Sequence, residues 1–322
     1  MPRDVKGYVD PLLSGFAVDY ASIFARGLVG PMLAPAIPIS KPDAQYAYFG
    51  KDVYAQLPNT ELAANGGRPN RVGGKGEKKP VNAIDHGLDT MIDLRDAGFE
   101  DAPFAPSERR AVRSLVSKLS LAHDRRVRDK LLAESGRSES LQGNGTEEVN
   151  RWSGRGGDPV KKVESRKSKL IVEPNLMVIG RDVWQALRRN PKIIARVGEL
   201  QAAKVVTLET LSVLFDIEKV VVARGQIGGK RESKGGDSDL TGIWDGLCIM
   251  AYVEENLTEE SLTAAATFFV RYPEAGGEMW LVRTYDDESS GMRGSRIIFS
   301  GNSSDEKIVC PEAFWGIKGI VA

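Results

Sequence analysis

The stretch SKLIVEPNLMVIGRDVWQALRRNPKI, from Ser168 to Ile193, restricts the folds open to this chain more than any other. Leu176–Ile179 is a short, uninterrupted apolar run, the pattern of a strand buried on both faces. At Gly180 the pattern changes to that of an amphipathic helix, which stops at Asn190-Pro191 because proline drives the residue before it out of helical backbone. None of its side chains is chemically reactive. Trp152 and Asp158-Pro159 lie just upstream, and the apolar pieces Val205–Gly225 and Ile243–Val253 follow.

A chain of 322 residues accommodates about two domains and a sizeable core. Its 41% hydrophobic and 27% charged residues describe a globular protein. Lysine plus arginine equals aspartate plus glutamate at 44 each, so the chain lacks the basic excess of a dedicated nucleic-acid binder, although a local basic surface can still face DNA. Zero net charge also removes long-range repulsion between copies, which suits self-assembly. Cys248 and Cys310 sit in apolar runs and read as buried reduced thiols; there is no CxxC and no Cys/His cluster, so no zinc site is expected. Two thiols and the start MPRDVKGYVD fit a reducing cytoplasm, and no apolar stretch is long enough to predict a membrane span.

Along the chain, residues 1–60 read as an irregular arm. Phe16, Tyr20, Ile23, Phe24 and Leu28 share one face of a helical pattern, and Pro31, Pro35, Pro38 and Pro42 then impose extended backbone. Such an arm cannot fold on itself and is expected to lie on another surface. Ala44–Gly50 reads as a strand, residues 61–80 as a flexible glycine-rich loop, and Val81–Leu94 as the returning strand of a long hairpin. Ala105–Ser135 is the clearest helix: Ser107 is a candidate N-cap, one apolar stripe runs from Val112 to Leu131, and Gly136 closes it. Residues 136–168 are polar and offer turns. Further strands are expected at Lys219–Gly225, in WDGLCIMAYV, at Thr263–Tyr272, at Glu278–Tyr285 and in GMRGSRIIFSG, with a polar loop at Ile227–Gly242. The apolar tail must dock into a sheet. Strands and helices alternate without repeated βαβ units, which makes the fold class α+β.

No constellation nominates an active site. VGGKGEKKP lacks the Ser or Thr and the upstream glycine of a phosphate-binding loop. His86 reads as a strand-end residue and His123 as a helix-packing residue, and neither has a catalytic or metal-binding neighbour at the required spacing. The acid pairs Asp237/Asp239 and Asp286/Asp287 read as solvated turns. Arg125, Arg126, Arg128 and Lys130 share a helix with Asp124 and Asp129, a solvated face with intrahelical ion pairs; contacts to a neighbouring subunit come second and DNA third. The five tryptophans read as core.

In this order, the pieces resemble the major capsid proteins of tailed bacteriophages, whose Hong Kong 97-type fold is shared with encapsulins. DPLLSGFAVDYASIFARGLVGPMLAP is similar to the family's N-terminal arm, AQYAYFGKDVYA to the strand leading into its extended loop (E-loop), and IDHGLDTMIDLRDA to the returning segment. APSERRAVRSLVSKLSLAHDRRVRDKLL resembles the spine helix of the peripheral domain. EPNLMVIGRDVWQALRRNPKI resembles the strand and helix that lead into the axial domain, with Asn175, Val183, Trp184, Leu187 and Pro191 matching best. The resemblance implies an N-terminal arm at 1–48, an E-loop hairpin at 49–94, a peripheral domain at 95–190 with spine helix 107–135, an axial domain at 191–305, and a strand at 306–322 returning to the peripheral domain. Intersubunit contacts are then expected from Arg68, Arg71, Lys75, Lys78 and Lys79 at the E-loop tip and from Phe16, Tyr20 and Phe24 on the arm, while Leu115, Leu119, Trp152, Trp184 and Pro191 define the fold. The implied function is self-assembly, without a cofactor, into pentamers and hexamers of an icosahedral shell around double-stranded DNA. Scaffolding, portal and decoration proteins would be partners, no membrane is involved, and assembly takes place in the host cytoplasm. An encapsulin-type compartment is the alternative of the same fold, and an α+β enzyme the alternative of another class.

Overall fold

The computed structural model describes residues 8–25, 27–50, 77–93, 107–141, 151–154, 156–200, 205–228, 240–254, 261–273, 279–289 and 294–321. Seven helices and fifteen strands lie among them, and two sheets carry the architecture.

The first sheet runs β1 (Tyr8–Val9), β13 (Leu281–Asp287), β14 (Ser295–Ile308), β12 (Ala265–Val270) and β2 (Ala36–Ile39), with β5 (Ile84–Asp93) also paired to β14. All its pairings are antiparallel except β12 with β2. The second runs β6 (Ser138–Ser140), β15 (Phe314–Lys318), β11 (Cys248–Ala251), β7 (Leu176–Ile179) and β8 (Lys219–Val222). Two short hairpins complete the strands: β3 (Asp43–Tyr48) with β4 (Glu77–Asn82), and β9 (Gln226–Gly228) with β10 (Leu240–Gly242).

Strands β7 and β11 explain why their sequences are apolar without interruption. Leu176 and Val178, with Ile249 and Ala251, face a core shared with the first sheet; Met177 and Ile179, with Cys248 and Met250, face a second core. That second core is roofed by α4 (Pro159–Lys167), α5 (Arg181–Arg189), α6 (Pro191–Leu200) and α7 (Leu208–Phe215). Both free thiols are buried.

The spine helix, α3 (Ser107–Ala133), also serves two cores. Val112, Leu115, Val116 and Leu119 pack with Val282 and Ile298 of the first sheet, and Val127 and Leu131 join the core between the sheets. Its 27 residues make a rod of about 40 Å. Gly136, at φ +74°, adopts the left-handed backbone that turns the chain out of the helix into β6.

Several expectations are corrected. The arm is covered within its own chain: α1 (Pro11–Ala25), capped by Asp10 Oδ1 on the amides of Leu12 and Leu13, buries Leu13, Ala17 and Ala21 against α3. A second short helix, α2 (Gly30–Leu33), and β2 then fix its proline-rich part. Residues 77–80 form strand and not loop, because Tyr46 and Tyr48 give β4 a partner. The polar stretch before Ser168 contains α4, which Asp158 caps from its side chain and Pro159 begins. Strand β14 continues through NSSDEKI, where the sequence suggests a break; Asn302, Ser303, Ser304, Asp305 and Glu306 are buried there.

Strand pairing runs across the implied spans. β3 closes the arm at 1–48 yet pairs with β4 of the hairpin. β7 lies before the 190/191 boundary, yet it pairs with β8 and β11 beyond it, and β14 runs across 305/306. The tail strand β15 enters the second sheet, between β11 and β6.

Leu119 is buried in mid-helix. Leu119→Pro is expected to remove a helix hydrogen bond and clash with the preceding turn, at about 3 kcal/mol or more, and the lost side chain adds about 2–5 kcal/mol. The sum rivals the stability of a typical domain. Soluble variant protein with wild-type circular dichroism would refute the helix.

Candidate functional site

The arm, the spine helix and the segment leading into β11 meet at one buried carboxylate. Asp124 lies on the apolar stripe of α3, one turn from Ser120 and Val127, and is inaccessible to solvent. Its Oδ1 accepts the amide of Gly30 at 2.5 Å and its Oδ2 the indole N–H of Trp244 at 2.8 Å. Burial raises its pKa, against the pull of these hydrogen bonds and of nearby Arg128. Two glycines make the approach possible: a Cβ on Gly30 would stand 2.8 Å from Oδ1, and one on Gly225 would stand 2.9 Å from Oδ2. Arg128, on the next turn, donates to the Ile243 carbonyl at 2.7 Å and ties α3 to the segment before β11 a second time.

The adjacent His123 holds the arm to the first sheet. The Thr267 hydroxyl donates to the Ala34 carbonyl at 2.9 Å, so it accepts from His123 Nε2–H at 3.0 Å. That assigns the neutral tautomer with the proton on Nε2. Glu306 Oε1 stands 3.7 Å from the same nitrogen and accepts from Arg126 Nε at 3.0 Å. Burial holds the His123 pKa at about 4; Glu306 opposes the shift, and Arg126 and His86 add to it. His86, inside β5 and not at a strand end, is also lowered by burial and by Arg126.

The basic run is therefore only partly a solvated face. Arg125 and Arg128 reach Asp129 as expected, but Arg126 crosses to β14, and Asp124 is a buried acceptor. Asp286 is likewise in a strand and not a turn; Arg296 pairs with it and holds its pKa below the usual carboxylate range. A stripe that places an acid between Ser120, Val127 and Leu131 is the available sequence signal for Asp124.

The arm residues form an aromatic ladder. Phe16 and Tyr20 stack at 6.3 Å, Tyr20 and Phe24 at 6.1 Å, and all three rings are half-buried. Tyr20 is hydrogen-bonded to Ser117 of α3 at 3.2 Å. Of the E-loop cations, Arg68, Arg71 and Lys75 lie outside the described residues. Lys78 is exposed on β4, whereas Lys79 turns back over the Tyr48 ring of its own chain at 3.1 Å. Leu115, Leu119 and Trp152 are buried. Trp184 is half-buried under Arg188, and Pro191 opens α6 from an exposed position. The preceding Asn190 caps α6 through its oxygen and binds the Trp152 carbonyl through its amide at 2.9 Å, so one residue ends a helix, starts another and anchors the tryptophan.

Among the described residues there is no group of three metal-binding side chains, and no helix is long and apolar enough to cross a membrane. No family model matches the chain. It is 26% identical over 257 residues to the major capsid protein of Burkholderia phage BcepMu, covering 76% of each chain. It is 23% identical over 321 residues to that of Pseudomonas phage JBD67, covering 98% of this chain and 97% of the relative. In fold it is similar to a phage-related protein of Bordetella bronchiseptica RB50, with a TM-score of 0.72 and 22% identity over 98% of both chains. It is also similar to the virus-like particle of Pyrococcus furiosus, with a TM-score of 0.54 and 10% identity over 95% of this chain and 98% of the other. The fold is that of the Hong Kong 97-type capsid proteins. Within it, the sequence relatives select the phage major capsid protein over the encapsulin-type compartment.

The buried junction can be tested from both of its titratable groups. Asp124→Ala leaves the Gly30 and Trp244 donors buried without an acceptor, a loss of about 1–3 kcal/mol for each. Urea denaturation of the unassembled subunit should show it, and an unchanged midpoint would mean that water or another group takes over. For His123, the unfolded chain takes up a proton near 6.5, whereas the fold keeps the ring neutral down to about 4. Its contribution to stability is intact above about pH 6.5 and is lost as pH falls toward 4, by roughly 3 kcal/mol in total. Denaturation across that window should be less acid-sensitive in His123→Gln; equal sensitivity in both proteins would remove His123 as the source.

Proposed function

We propose that copies of this chain assemble into pentamers and hexamers of an icosahedral shell that encloses double-stranded DNA. The observation that carries this reading is the sequence match to a phage major capsid protein over 98% of the chain. In this reading the first sheet, with α1 and α3, is the peripheral domain, and the second sheet, with α4 to α7, is the axial domain. The hairpin of β3 and β4 is the base of the E-loop, whose tip is expected to reach a neighbouring subunit through Arg68, Arg71, Lys75 and Lys78.

The physical support lies in the shape of the chain's elements. Among the described residues β3 and β4 pair only with each other; Tyr46 and Val81 seat the base of the hairpin in the chain's own core, while Pro80 and, at its outer end, Glu77 and Lys78 stay exposed and uncovered. Laid on a second copy, such a segment buries area in both subunits, and head-to-tail repetition closes into rings. The arm enters differently from the sequence expectation: Leu13, Ala17 and Ala21 are already covered, so it contributes what it leaves outside, Leu12 and Ile23 among others. The subunit acts as a structural protein without catalytic turnover. Scaffolding, portal and decoration proteins are its partners in this reading, and assembly takes place in the host cytoplasm.

Electron microscopy of the purified protein, with its scaffold if one is needed, should show closed particles or capsomer rings; a compact monomer of 35.1 kDa at every concentration would overturn the reading. Deleting residues 66–76, which stops short of β4, separates folding from assembly. The deletion removes no large apolar side chain except Val72. Halving a loop changes closure entropy by only about 0.6 kcal/mol. The deletion protein should keep a native circular dichroism spectrum and give small oligomers in place of shells. Normal shells would show that the tip plays no part in assembly.

A further inference from the structure

We infer that the strip where α1 lies against the first turns of α3 is the surface that takes up the phosphate backbone of the enclosed double-stranded DNA; the inference rests on the shell reading above. The strip is built from two helices in step. Phe16, Tyr20 and Phe24 present stacked rings on α1, and Arg109 and Arg113 stand beside them on α3. The Arg109 guanidinium lies 5.9 Å from the Phe16 ring, and that of Arg113 lies 6.0 Å from Phe16 and 5.1 Å from Tyr20. Both arginines are exposed, and among the described residues neither guanidinium has a carboxylate or hydrogen-bond partner.

Several other arginines have a plain internal role. Arg126, Arg137, Arg166, Arg196 and Arg296 are each paired with a carboxylate of the same chain. Arg188 and Arg189 occupy the last turn of α5, where the negative end of the helix favours a cation. Arg109 occupies the first turn of α3, where the same dipole disfavours a cation, and Arg113 the second turn. Apart from these ring contacts, neither charge is paired among the described residues. A guanidinium laid against a ring still presents its N–H edge, the fork that matches phosphate oxygens. Four residues of helix place the two arginines about 6 Å apart along the axis, and both guanidinium groups lie beside the same aromatic ladder, an arrangement suited to a regular polyanion. Interactions of this kind carry no base specificity.

The test uses the unassembled full-length protein and a short DNA duplex of mixed sequence, with binding read by fluorescence anisotropy over a salt series. Wild type should bind weakly, with log K falling linearly against log salt. Arg109→Gln/Arg113→Gln should lower that slope by about 2, near 0.9 for every phosphate that is no longer neutralised. Arg109→Lys/Arg113→Lys should retain most of it, and Arg188→Gln/Arg189→Gln, which removes the same charge elsewhere, should leave it unchanged. An equal loss in the Arg188/Arg189 variant, or no loss in the Arg109/Arg113 variant, would overturn the assignment. So would arginine-dependent binding of polyaspartate with no binding of DNA, which would make the strip a dock for an acidic protein. Electron microscopy keeps the two readings apart: shells without the DNA effect sink this inference alone, and the DNA effect without shells sinks the capsid reading and leaves a nucleic-acid surface.

Discussion

Burying the carboxylate of Asp124 is the constraint on which the rest of the subunit depends. A carboxylate taken out of water needs donors, and the donors here come from two distant places in the chain, the amide of Gly30 and the indole of Trp244. To satisfy one side chain the arm has to turn at α2, and the segment before β11 has to come down on the spine helix. Gly30 and Gly225 leave out the side chains that would block that approach. The geometry is thus over-determined: a residue that would be a liability in the apolar stripe of a free helix becomes a three-way fastening once the chain closes around it.

The second sheet is largely legible in the sequence, because period and punctuation agree there. A four-residue apolar run, a glycine, an amphipathic helix and Asn190-Pro191 correspond to β7, α5 and the start of α6. The spine helix is legible from its stripe to within two residues of either end. What escapes are elements whose partners lie far away in the chain. Strand β14 reads as a break at NSSDE, yet its polar side chains are buried because Arg126, His123, Asn82 and Tyr272 come from other elements to meet them. Helix α4 is short and mostly charged, and its stability rests on a side-chain cap and on Val160 and Val163 packing against a sheet that assembles around it.

The assembly surfaces are less legible for a related reason. An apolar arm broken by prolines has two possible destinations, its own chain or a neighbour, and composition does not distinguish them. The choice is made by complementarity. Small residues at Ala17 and Ala21 let α1 approach α3 closely, and the Ser14 hydroxyl accepts the Val282 amide at 3.1 Å, which seats the helix on β13 as well. Lys79 shows the same limit on a smaller scale. In sequence it belongs with the other E-loop cations, but a tyrosine across the hairpin claims it.

The division of β7 and β11 between two cores has a consequence for how such a chain can change over time. Successive residues of these strands serve opposite faces, so inserting or removing one residue would exchange the side chains offered to each core over the whole length of the strand. Neither core could compensate alone, since the other would receive the displaced residues. Length variation should therefore be excluded from the wall between the two halves of the subunit and accumulate at its hairpins, which makes the shared wall the fixed ruler against which variable loops are measured.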